Sequence, residues 1–409
     1  MLAKTASSPV LSPARTEARL IATRTLRSNI VSLPSSKADL PSPEQYLLAG
    51  QNQYHTLWAR DLSMATAGAL EIGETFSIKN SLEIFFLLQR EDGLLPRVVD
   101  YYDIYRRVIS GLFGYRLGYR KPLKGWFTTE NRVISIDGNL TLPWAASQYI
   151  KKTHDLESAE RWLPHLEKSI HFIETHFLVD GLVGKQPPFS DWKDSIRREG
   201  RVAFTNALYI LALKGLAQVT HQLHRLEKAA SFLTRAQEVE SRFQSFFWET
   251  QQKRLKNFEA DPHLSADANL FAIASGLLPK DQAQEALTHL KASPLWHPLP
   301  GAPTWPSYPN HYKSFLVRLI GLGGYHDRLY WMWISALAAR AEKAMGHERE
   351  YQEIMNRLAQ RIAQDQGIYE VYELEPGTSN LRPHRGWIYK SDKSFTWSAA
   401  CYLEADYLS

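Results

Sequence analysis

The sequence predicts an all-α protein whose helices close into a double ring. Twelve segments with helical hydrophobic periodicity are spread along a chain of 409 residues. They fall into pairs, and short connections alternate with long ones. Convincing strand patterns are few, and segment 368–374 is the main candidate. Twelve helices in antiparallel pairs close most simply into six inner and six outer helices, so we expect a single-domain (α/α)6 barrel.

Each helix is predicted from the spacing of its apolar residues and from the residues at its ends. In the fifth helix, for example, Leu163, Leu166 and Ile170 lie on one face. Pro164 is expected to kink this helix or to begin its regular part. In chain order, the predicted helices span 14–31, 58–72, 76–90, 139–153, 156–177, 201–221, 223–247, 266–275, 280–291, 327–345, 347–364 and 394–407.

Four long connections separate these helices, and each is rich in proline, glycine and aromatic residues. They span 93–137, 178–200, 292–324 and 366–393. Long loops are uncommon in compact domains unless they serve a function, and in a ring they would gather at one end. A two-domain protein or an α-solenoid is an alternative, but the chain has no Ser/Gly-rich or Pro-rich linker and no clear solenoid repeat.

The composition is typical of a soluble globular protein, with 22% charged and 44% hydrophobic residues. The 12 Trp and 19 Tyr residues exceed the usual share, and flat aromatic rings pack well against sugars, although the core accounts for most of them. The net charge of +5 is dispersed, and its densest basic stretch spans 105–124. Since no nucleic-acid-binding signature accompanies that stretch, a solvated loop at the rim of a cleft is preferred over nucleic-acid binding.

A single cysteine, Cys401, excludes a disulfide within the chain and a cysteine-based metal site. We therefore expect a reducing, cytoplasmic location, and we expect no membrane span because no run of about 18 apolar residues occurs. Residues 1–38 contain one acid, Glu17, and faintly resemble an organelle transit peptide. The preferred interpretation is a flexible leader and the start of the first helix over 1–38, followed by the barrel domain over 39–409.

The segment Asp191-Trp192-Lys193-Asp194 lies in a long loop just before a strongly helical run that contains Asn206. A carboxyl group held beside an indole, away from water, can stay protonated near neutral pH, which is what a general acid needs. Asp194 is the candidate acid and Asp191 is its competitor. Either one could instead only cap the helix that follows.

Glu370 is the candidate for a second catalytic carboxyl group, in the aromatic segment Tyr369-Glu370-Val371-Tyr372. Glycoside hydrolysis needs one protonated and one ionised carboxyl group on opposite sides of the anomeric carbon. Loops at one end of a ring could bring Asp194 and Glu370 together despite their distance in sequence. By itself, Glu370 would be interpreted as a residue of an exposed strand.

Several further polar residues precede helices. Arg60 and Asp61 could hold adjacent sugar hydroxyls, whereas the same positions are also typical of simple helix starts. Asp137 and Asp267 share this ambiguity, and His326 is a further candidate. No Walker loop, Rossmann fingerprint, nucleophile elbow or histidine zinc pair is present, so no metal or cofactor is predicted.

Four of these segments resemble the six-hairpin toroid glycosidases. These include the amylo-α-1,6-glucosidase domain of glycogen debranching enzymes, trehalases, processing α-glucosidases, mannosylglycerate hydrolases and alkaline/neutral invertases. Trp58-Ala59-Arg60-Asp61 is similar to their segment that holds the sugar at the −1 subsite. The resemblance covers about residues 50–405 and places Asp194 at the acid position and Glu370 at the base position. Segment 394–398 resembles the start of their closing helix, whereas loop 101–131 has no counterpart.

The resemblance implies an inverting, cofactor-free hydrolase of α-linked glucosides or related α-glycosides, similar to amylo-α-1,6-glucosidase. Its partner would be a carbohydrate substrate, and the oligomeric state is not predicted. A sugar 2-epimerase on the same toroid, with His326 or His384 at its centre, is one alternative. A non-catalytic glycan-binding toroid is another. The predicted substrate-binding residues are Trp58, Arg60, Asp61, Asp137, Asp191, Trp192, Asn206, His326, Trp331 and Trp397.

Overall fold

The computed structural model describes residues 12–34 and 43–408, and this part of the chain contains fourteen α-helices. Their bounds agree with the predicted helices to within about five residues. In chain order they are α1 (Pro13–Ser28), α2 (Ala59–Glu71), α3 (Thr75–Leu87), α4 (Ile104–Leu112), α5 (Gly138–Thr153), α6 (Leu156–Phe177), α7 (Ala203–Gln222), α8 (Leu226–Phe247), α9 (Ala266–Ala274), α10 (Lys280–Lys291), α11 (Phe315–Leu319), α12 (Met332–Ala344), α13 (Glu348–Asp365) and α14 (Thr396–Asp406).

Six of the helices form a closed inner ring. Helices α2, α5, α7, α9, α12 and α14 each pack on the next, and α14 packs back on α2. Helices α1, α3, α6, α8, α10 and α13 lie outside them, each against its inner neighbour. This arrangement confirms the predicted (α/α)6 barrel.

The difference between the two rings follows from their sequences. Inner helix α12 is rich in alanine and is buried on nearly every face, which lets its neighbours approach on both sides. Outer helix α6 buries a single apolar stripe that includes Leu163, Leu166 and Ile170, and its other face is polar. Pro164 lies inside α6, and the helix is continuous through it.

The long connections contain two short helices and several short strands that the periodicity did not predict. Helices α4 and α11 lie in the predicted loops 93–137 and 292–324. The predicted strand 368–374 is present as β13. The strands are β1 (Ile30–Leu33), β2 (Glu44–Leu47), β3 (Leu57–Trp58), β4 (Val98–Asp100), β5 (Lys124–Trp126), β6 (Leu178–Val179), β7 (Leu182–Val183), β8 (Trp248–Glu249), β9 (Arg254–Leu255), β10 (Leu264–Ser265), β11 (Thr304–Trp305), β12 (Tyr330–Trp331), β13 (Val371–Leu374) and β14 (Leu381–Pro383).

The strands pair in antiparallel fashion and fix the loops at the end of the ring where the inner helices begin. Two three-stranded sheets have the orders β3-β4-β5 and β12-β13-β14. In the second sheet, Trp331 lies opposite Val371, so the start of α12 is held beside the segment that contains Glu370. Each connection from an outer helix to the next inner helix reaches this same end, as the predicted alternation of connections implied.

Helix α1 is part of the outer ring. It packs on α13 and α14, and Arg15 Nε donates a hydrogen bond of 2.9 Å to Asp406 Oδ1 in a buried position. The ring therefore includes residues before position 39, whereas 1–11 and 35–38 of the predicted leader lie outside the described residues. Of the helices described, none is long and apolar enough to cross a membrane.

Candidate active site

A cavity opens at the end of the ring where the inner helices begin. Its volume is about 130 Å³. Arg60 and Asp61 at the start of α2 and Trp397 at the start of α14 contribute to its wall. Both predicted catalytic carboxylates, Asp194 and Glu370, line this same cavity.

Asp194 lies between two arginines. Its Oδ2 accepts hydrogen bonds from Arg60 Nη1 at 3.2 Å and from Arg97 Nη2 at 3.0 Å. Its backbone carbonyl accepts a hydrogen bond of 3.2 Å from Asn131 Nδ2. The two guanidinium groups therefore fix the carboxyl group and Asn131 fixes its backbone, while 13% of the side chain remains exposed.

Arg97 and Glu130 are site residues that the sequence did not reveal. The guanidinium of Arg97 donates to both carboxylate oxygens of Glu130, each at 3.0 Å, and lies 4.6 Å from the ring centroid of Trp58. Glu130 belongs to loop 101–131, for which the resemblance offered no counterpart. Leu94-Leu95-Pro96-Arg97, placed directly after a helix, was the available signal for Arg97.

The protonation of Asp194 depends on two opposing effects. Burial raises its pKa above the usual value, and Arg60 and Arg97 lower it, while Glu130 contributes in the same direction as burial. The net direction is upward, because removing water from a carboxyl group disfavours its ionised form. This direction suits a group that must hold a proton.

Trp192 and Lys193 anchor the loop of Asp194 from behind. The indole N–H of Trp192 donates to Asp267 Oδ2 at 2.7 Å, and Lys193 Nζ donates to Asp267 Oδ1 at 2.7 Å. Lys193 is fully buried, and burial lowers its pKa to about 8 against the opposing effect of Asp267. The chain turns at this segment, so Asp194 faces the cavity whereas Lys193 is buried against Asp267.

Three tyrosines surround Glu370. The hydroxyl groups of Tyr325 and Tyr389 each donate a hydrogen bond to its carboxylate. Tyr54 Oη lies 2.8 Å from Tyr325 Oη and 3.2 Å from Tyr389 Oη. Burial raises the pKa of Glu370 well above its usual range, and the hydrogen bonds from Tyr325 and Tyr54 oppose this shift.

Asp61 and His326 complete the polar lining near the two carboxyl groups. Burial raises the pKa of Asp61 to about 7, although the charge of Arg60 acts in the opposite direction. Burial also lowers the pKa of His326 well below its usual range, so its ring is neutral at pH 7. His326 Nδ1 lies 2.9 Å from Ser195 Oγ, and its ring stacks on Trp331 at 5.3 Å and 10°.

Seven of the ten predicted substrate-binding residues line the cavity. Arg60 also donates to the backbone carbonyls of Asp191 at 2.8 Å and of Trp192 at 3.4 Å, so its guanidinium holds the acid loop. The seven residues are Trp58, Arg60, Asp61, Trp192, His326, Trp331 and Trp397. His384, the other histidine of the epimerase alternative, lies outside this cavity, where its Nδ1 is 2.5 Å from Glu373.

The other three predicted substrate-binding residues do not line the cavity and have supporting positions instead. Asp137 accepts a hydrogen bond of 2.6 Å from Arg60 Nε and is buried. Asp191 forms a buried ion pair of 2.8 Å with Arg198. Asn206 is fully buried and bonds the backbone of β7. A sequence can show that a polar residue lies at the start of a helix, but it does not show whether the side chain points into the cavity or into the protein interior.

The described residues contain no group of three or more His, Cys, Asp or Glu side chains placed to hold a metal ion. The polar groups of the cavity are carboxyl, guanidinium, phenol and imidazole groups that bond mainly to one another. Groups of these kinds can donate protons to a bound molecule and accept protons from it.

Comparison with known proteins identifies the fold. The family model described as the bacterial alpha-L-rhamnosidase 6 hairpin glycosidase domain matches residues 139–294. The chain shares the fold of the six-hairpin toroid glycosidases, and residues 139–294 match their domain model. The matched range includes Asp194, whereas Glu370 lies beyond it. A sequence search of the curated proteins finds no match.

Several solved structures of glycosidases have the same architecture as this chain. A rhamnosidase from Klebsiella oxytoca with rhamnose bound has a TM-score of 0.67 at 14% identity, covering 97% of this chain. This chain spans 64% of that rhamnosidase. The GH63 mannosylglycerate hydrolase from Thermus thermophilus in complex with Tris has a TM-score of 0.61 at 14% identity, with coverage of 95% of this chain and 99% of that one.

A third structure, a glycosidase variant in complex with glucose, has a TM-score of 0.66 at 14% identity and covers 98% of both chains. At these identities the likeness concerns the fold. The sugars named for these proteins are ligands of those proteins.

Proposed function

We propose that this protein hydrolyses α-linked glycosides with inversion, using Asp194 as general acid and Glu370 as general base. The main support is that both carboxyl groups line one cavity, although 176 positions separate them in the sequence. In this reaction Asp194 protonates the glycosidic oxygen, and Glu370 removes a proton from the water that attacks the opposite face.

Burial raises the pKa of both carboxyl groups, so the division of roles rests on the resemblance and on the groups that bond to each of them. Burial favours the protonated form of Asp194, and a bound substrate would displace further water from it. The hydroxyl groups of Tyr325 and Tyr389 donate to Glu370 and so stabilise its ionised form, which is the form that acts as a base. Arg60 and Arg97 then limit how strongly Asp194 holds its proton.

We propose a neutral hexose as the glycone, and an amylo-α-1,6-glucosidase-like α-glucoside as the first candidate. Both arginines that line the cavity are paired with carboxylates, so their charge is already balanced. Asp61 and the indoles of Trp58 and Trp331 offer the polar and flat apolar surfaces that a sugar ring needs. A cytoplasmic location remains part of the proposal, and cell fractionation tests it.

Leaving-group dependence tests the two roles. A good leaving group such as fluoride needs no proton, so Asp194→Asn should lose about 10²–10⁴-fold of its rate on a methyl or disaccharide substrate but far less on the glycosyl fluoride. Glu370→Gln should lose activity on both, because it lacks the base. The opposite pattern would exchange the roles of the two residues. Asp180→Asn is the matched control, because Asp180 is exposed and lies outside the cavity.

Proton magnetic resonance of the first product tests the reaction class. Inversion gives the β-anomer first from an α-glycoside, together with a second product. A single epimerised sugar would indicate the 2-epimerase alternative. Binding of sugars without any release of monosaccharide would indicate a non-catalytic glycan-binding toroid.

A further inference from the structure

The two short helices that interrupt the long loops contribute only aliphatic side chains to the cavity. Val108 of α4 and Val317 of α11 line it, followed by Ile320 directly after α11 and by Leu322. Val108, Val317 and Ile320 are half-buried, so they lie between the polar interior and the solvent. A wall of this kind offers no side-chain hydrogen bond to a hydroxyl group.

This wall lies beside the proposed acid. The backbone N–H of Ser314, just before α11, donates to the carbonyl of Ser195 at 2.8 Å, next to Asp194 in the chain. On the other helix, Tyr105 Oη donates to the carbonyl of Glu130 at 3.1 Å, and Glu130 pairs with Arg97. The general acid protonates the leaving oxygen, so groups beside the acid face the leaving part of the substrate.

The same two helices also carry exposed apolar side chains. On α4, Ile109 is 52% exposed, and on α11, Phe315 and Leu319 are 66% and 55% exposed. Trp387 is 73% exposed and lies against Gly321, just after α11. Exposed apolar side chains on the elements that line a cavity are consistent with an apolar ligand.

We infer that the leaving group of the substrate is an apolar chain, an alkyl or aryl group, and not a second sugar. The inference rests on the proposed glycosidase function and keeps its neutral hexose glycone, but it replaces the sugar leaving group of an amylo-α-1,6-glucosidase-like substrate with an apolar one. A second sugar at this position would need hydrogen-bonding partners for several hydroxyl groups, which Val108, Val317 and Ile320 do not supply. An alkyl chain would instead remove its own apolar surface and theirs from water.

The test compares leaving groups on one sugar. The probes are methyl α-glucoside, octyl α-glucoside and isomaltose, with phenyl α-glucoside to distinguish an aryl from an alkyl group. The same methyl and octyl pair is made with mannose and rhamnose. We expect kcat/KM for the octyl compound to exceed that for the methyl compound by about tenfold or more. Equal values, or a preference for isomaltose, would overturn the inference.

Variants of α11 locate the effect. Val317→Asn places a polar side chain in the wall and should lower the octyl-to-methyl ratio of kcat/KM by about tenfold. Leu316→Asn is the matched control, because Leu316 lies on the same helix, is 47% exposed and does not line the cavity. An unchanged ratio in Val317→Asn would also count against the inference.

Binding measurements separate this inference from the proposed function. If no glycoside is hydrolysed, the proposed function fails, but calorimetry of the wild-type protein still compares octyl with methyl glucoside. Octyl binding at least about tenfold tighter, reduced by Val317→Asn, would support the apolar site without turnover. Equal affinities for the two glucosides would refute it.

Discussion

At the scale of single residues, the cavity is unusual in how many carboxyl groups it removes from water. Asp61, Asp194 and Glu370 all line it, and burial raises the pKa of each. Water would stabilise their charges better than this site does, so they reduce stability wherever the folded protein must ionise them. Shifted carboxyl groups gathered in a cavity are typical of catalytic sites.

The first prediction concerns Asp61 and stability. In the folded protein, the carboxyl group of Asp61 keeps its proton up to a pH of about 7. In the unfolded chain, the same group releases its proton near pH 4. The free energy of unfolding therefore falls as the pH rises between these two values. Asp61→Asn removes this loss. Its stabilising effect should be about 2–3 kcal/mol larger at pH 8 than at pH 5, as measured by urea unfolding.

Asp281→Asn is the control for this measurement, because Asp281 is exposed on outer helix α10. Its effect on the free energy of unfolding should be small and similar at both pH values. An Asp61→Asn variant with the same effect at pH 5 and pH 8 would show that Asp61 ionises normally in the folded protein.

The second prediction concerns the hydrogen bond from Tyr325 to Glu370. Tyr325→Phe removes a donor that stabilises the carboxylate, so the pKa of Glu370 should rise further. Since the base must be ionised, the acidic limb of kcat/KM should move to higher pH by about one unit. Tyr369 lies beside Glu370 in the chain but outside the cavity, so Tyr369→Phe should leave the acidic limb of kcat/KM at the same pH. If both variants shifted this limb equally, the assignment of Glu370 as the base would be contradicted.

At the scale of elements, the same hydrogen-bonding pattern recurs at the start of three inner helices: an asparagine side chain bonds the backbone of the segment that precedes the helix. Asn206 Oδ1 accepts from Val183 N at 2.8 Å and its Nδ2 donates to Val183 O at 3.0 Å, which fixes β7 against α7. Asn269 bonds the N–H and C=O of Leu255 in the same way, and Asn139 of α5 bonds the segment before it. This pattern attaches each incoming loop to an inner helix, and so positions the loops that line the cavity.

The third prediction follows from this role of Asn206. Asn206→Ala leaves the backbone N–H and C=O of Val183 buried without partners, which should lower the free energy of unfolding by about 2–4 kcal/mol. KM for the preferred glycoside should change little at a temperature where the variant is folded. Asn310→Ala, at an exposed position, is the control. A large rise in KM without loss of stability would restore the substrate-binding interpretation.

At the scale of the whole molecule, the ring is closed where the first and last inner helices meet. Gly68 of α2 lies so close to α14 that a Cβ atom there would be 1.9 Å from the carbonyl oxygen of Ala400. No side chain fits between these backbones. The closure joins residues from opposite ends of the chain, and it fixes Arg60 and Trp397 at neighbouring points of the cavity wall.

The fourth prediction tests this closure. Alanine favours a helix over glycine by about 1 kcal/mol, so Gly68→Ala would stabilise an isolated α2. In the closed ring it should instead destabilise the protein by about 2–3 kcal/mol, because the two helices must separate. Thermal unfolding measures the change, with Gly118→Ala as the control, since a Cβ there has no neighbour within 4 Å. A higher Tm for Gly68→Ala would mean that the ring is not closed at this point.

The sequence by itself determined the local features. Helical periodicity and helix-ending residues predicted the twelve helices of the two rings, and the alternation of short and long connections predicted their pairing. The short helices α4 and α11 were not predicted, because a segment of five to nine residues contains too few turns to show a helical period. Asp194 and Glu370 could be proposed because aromatic neighbours and motif resemblance are also local.

Only the tertiary structure decided which side chains share one cavity. Arg97 and Glu130 reach it from opposite ends of connection 93–137 and Tyr325 from the segment before α12, and nothing in their local sequence indicates a common partner. It also decided against Asn206 as a lining residue, because the side from which a helix start is approached depends on the packing of its neighbours. Ring closure brings distant segments within a few ångströms, and hydrophobic burial, which has no direction along the chain, determines that closure.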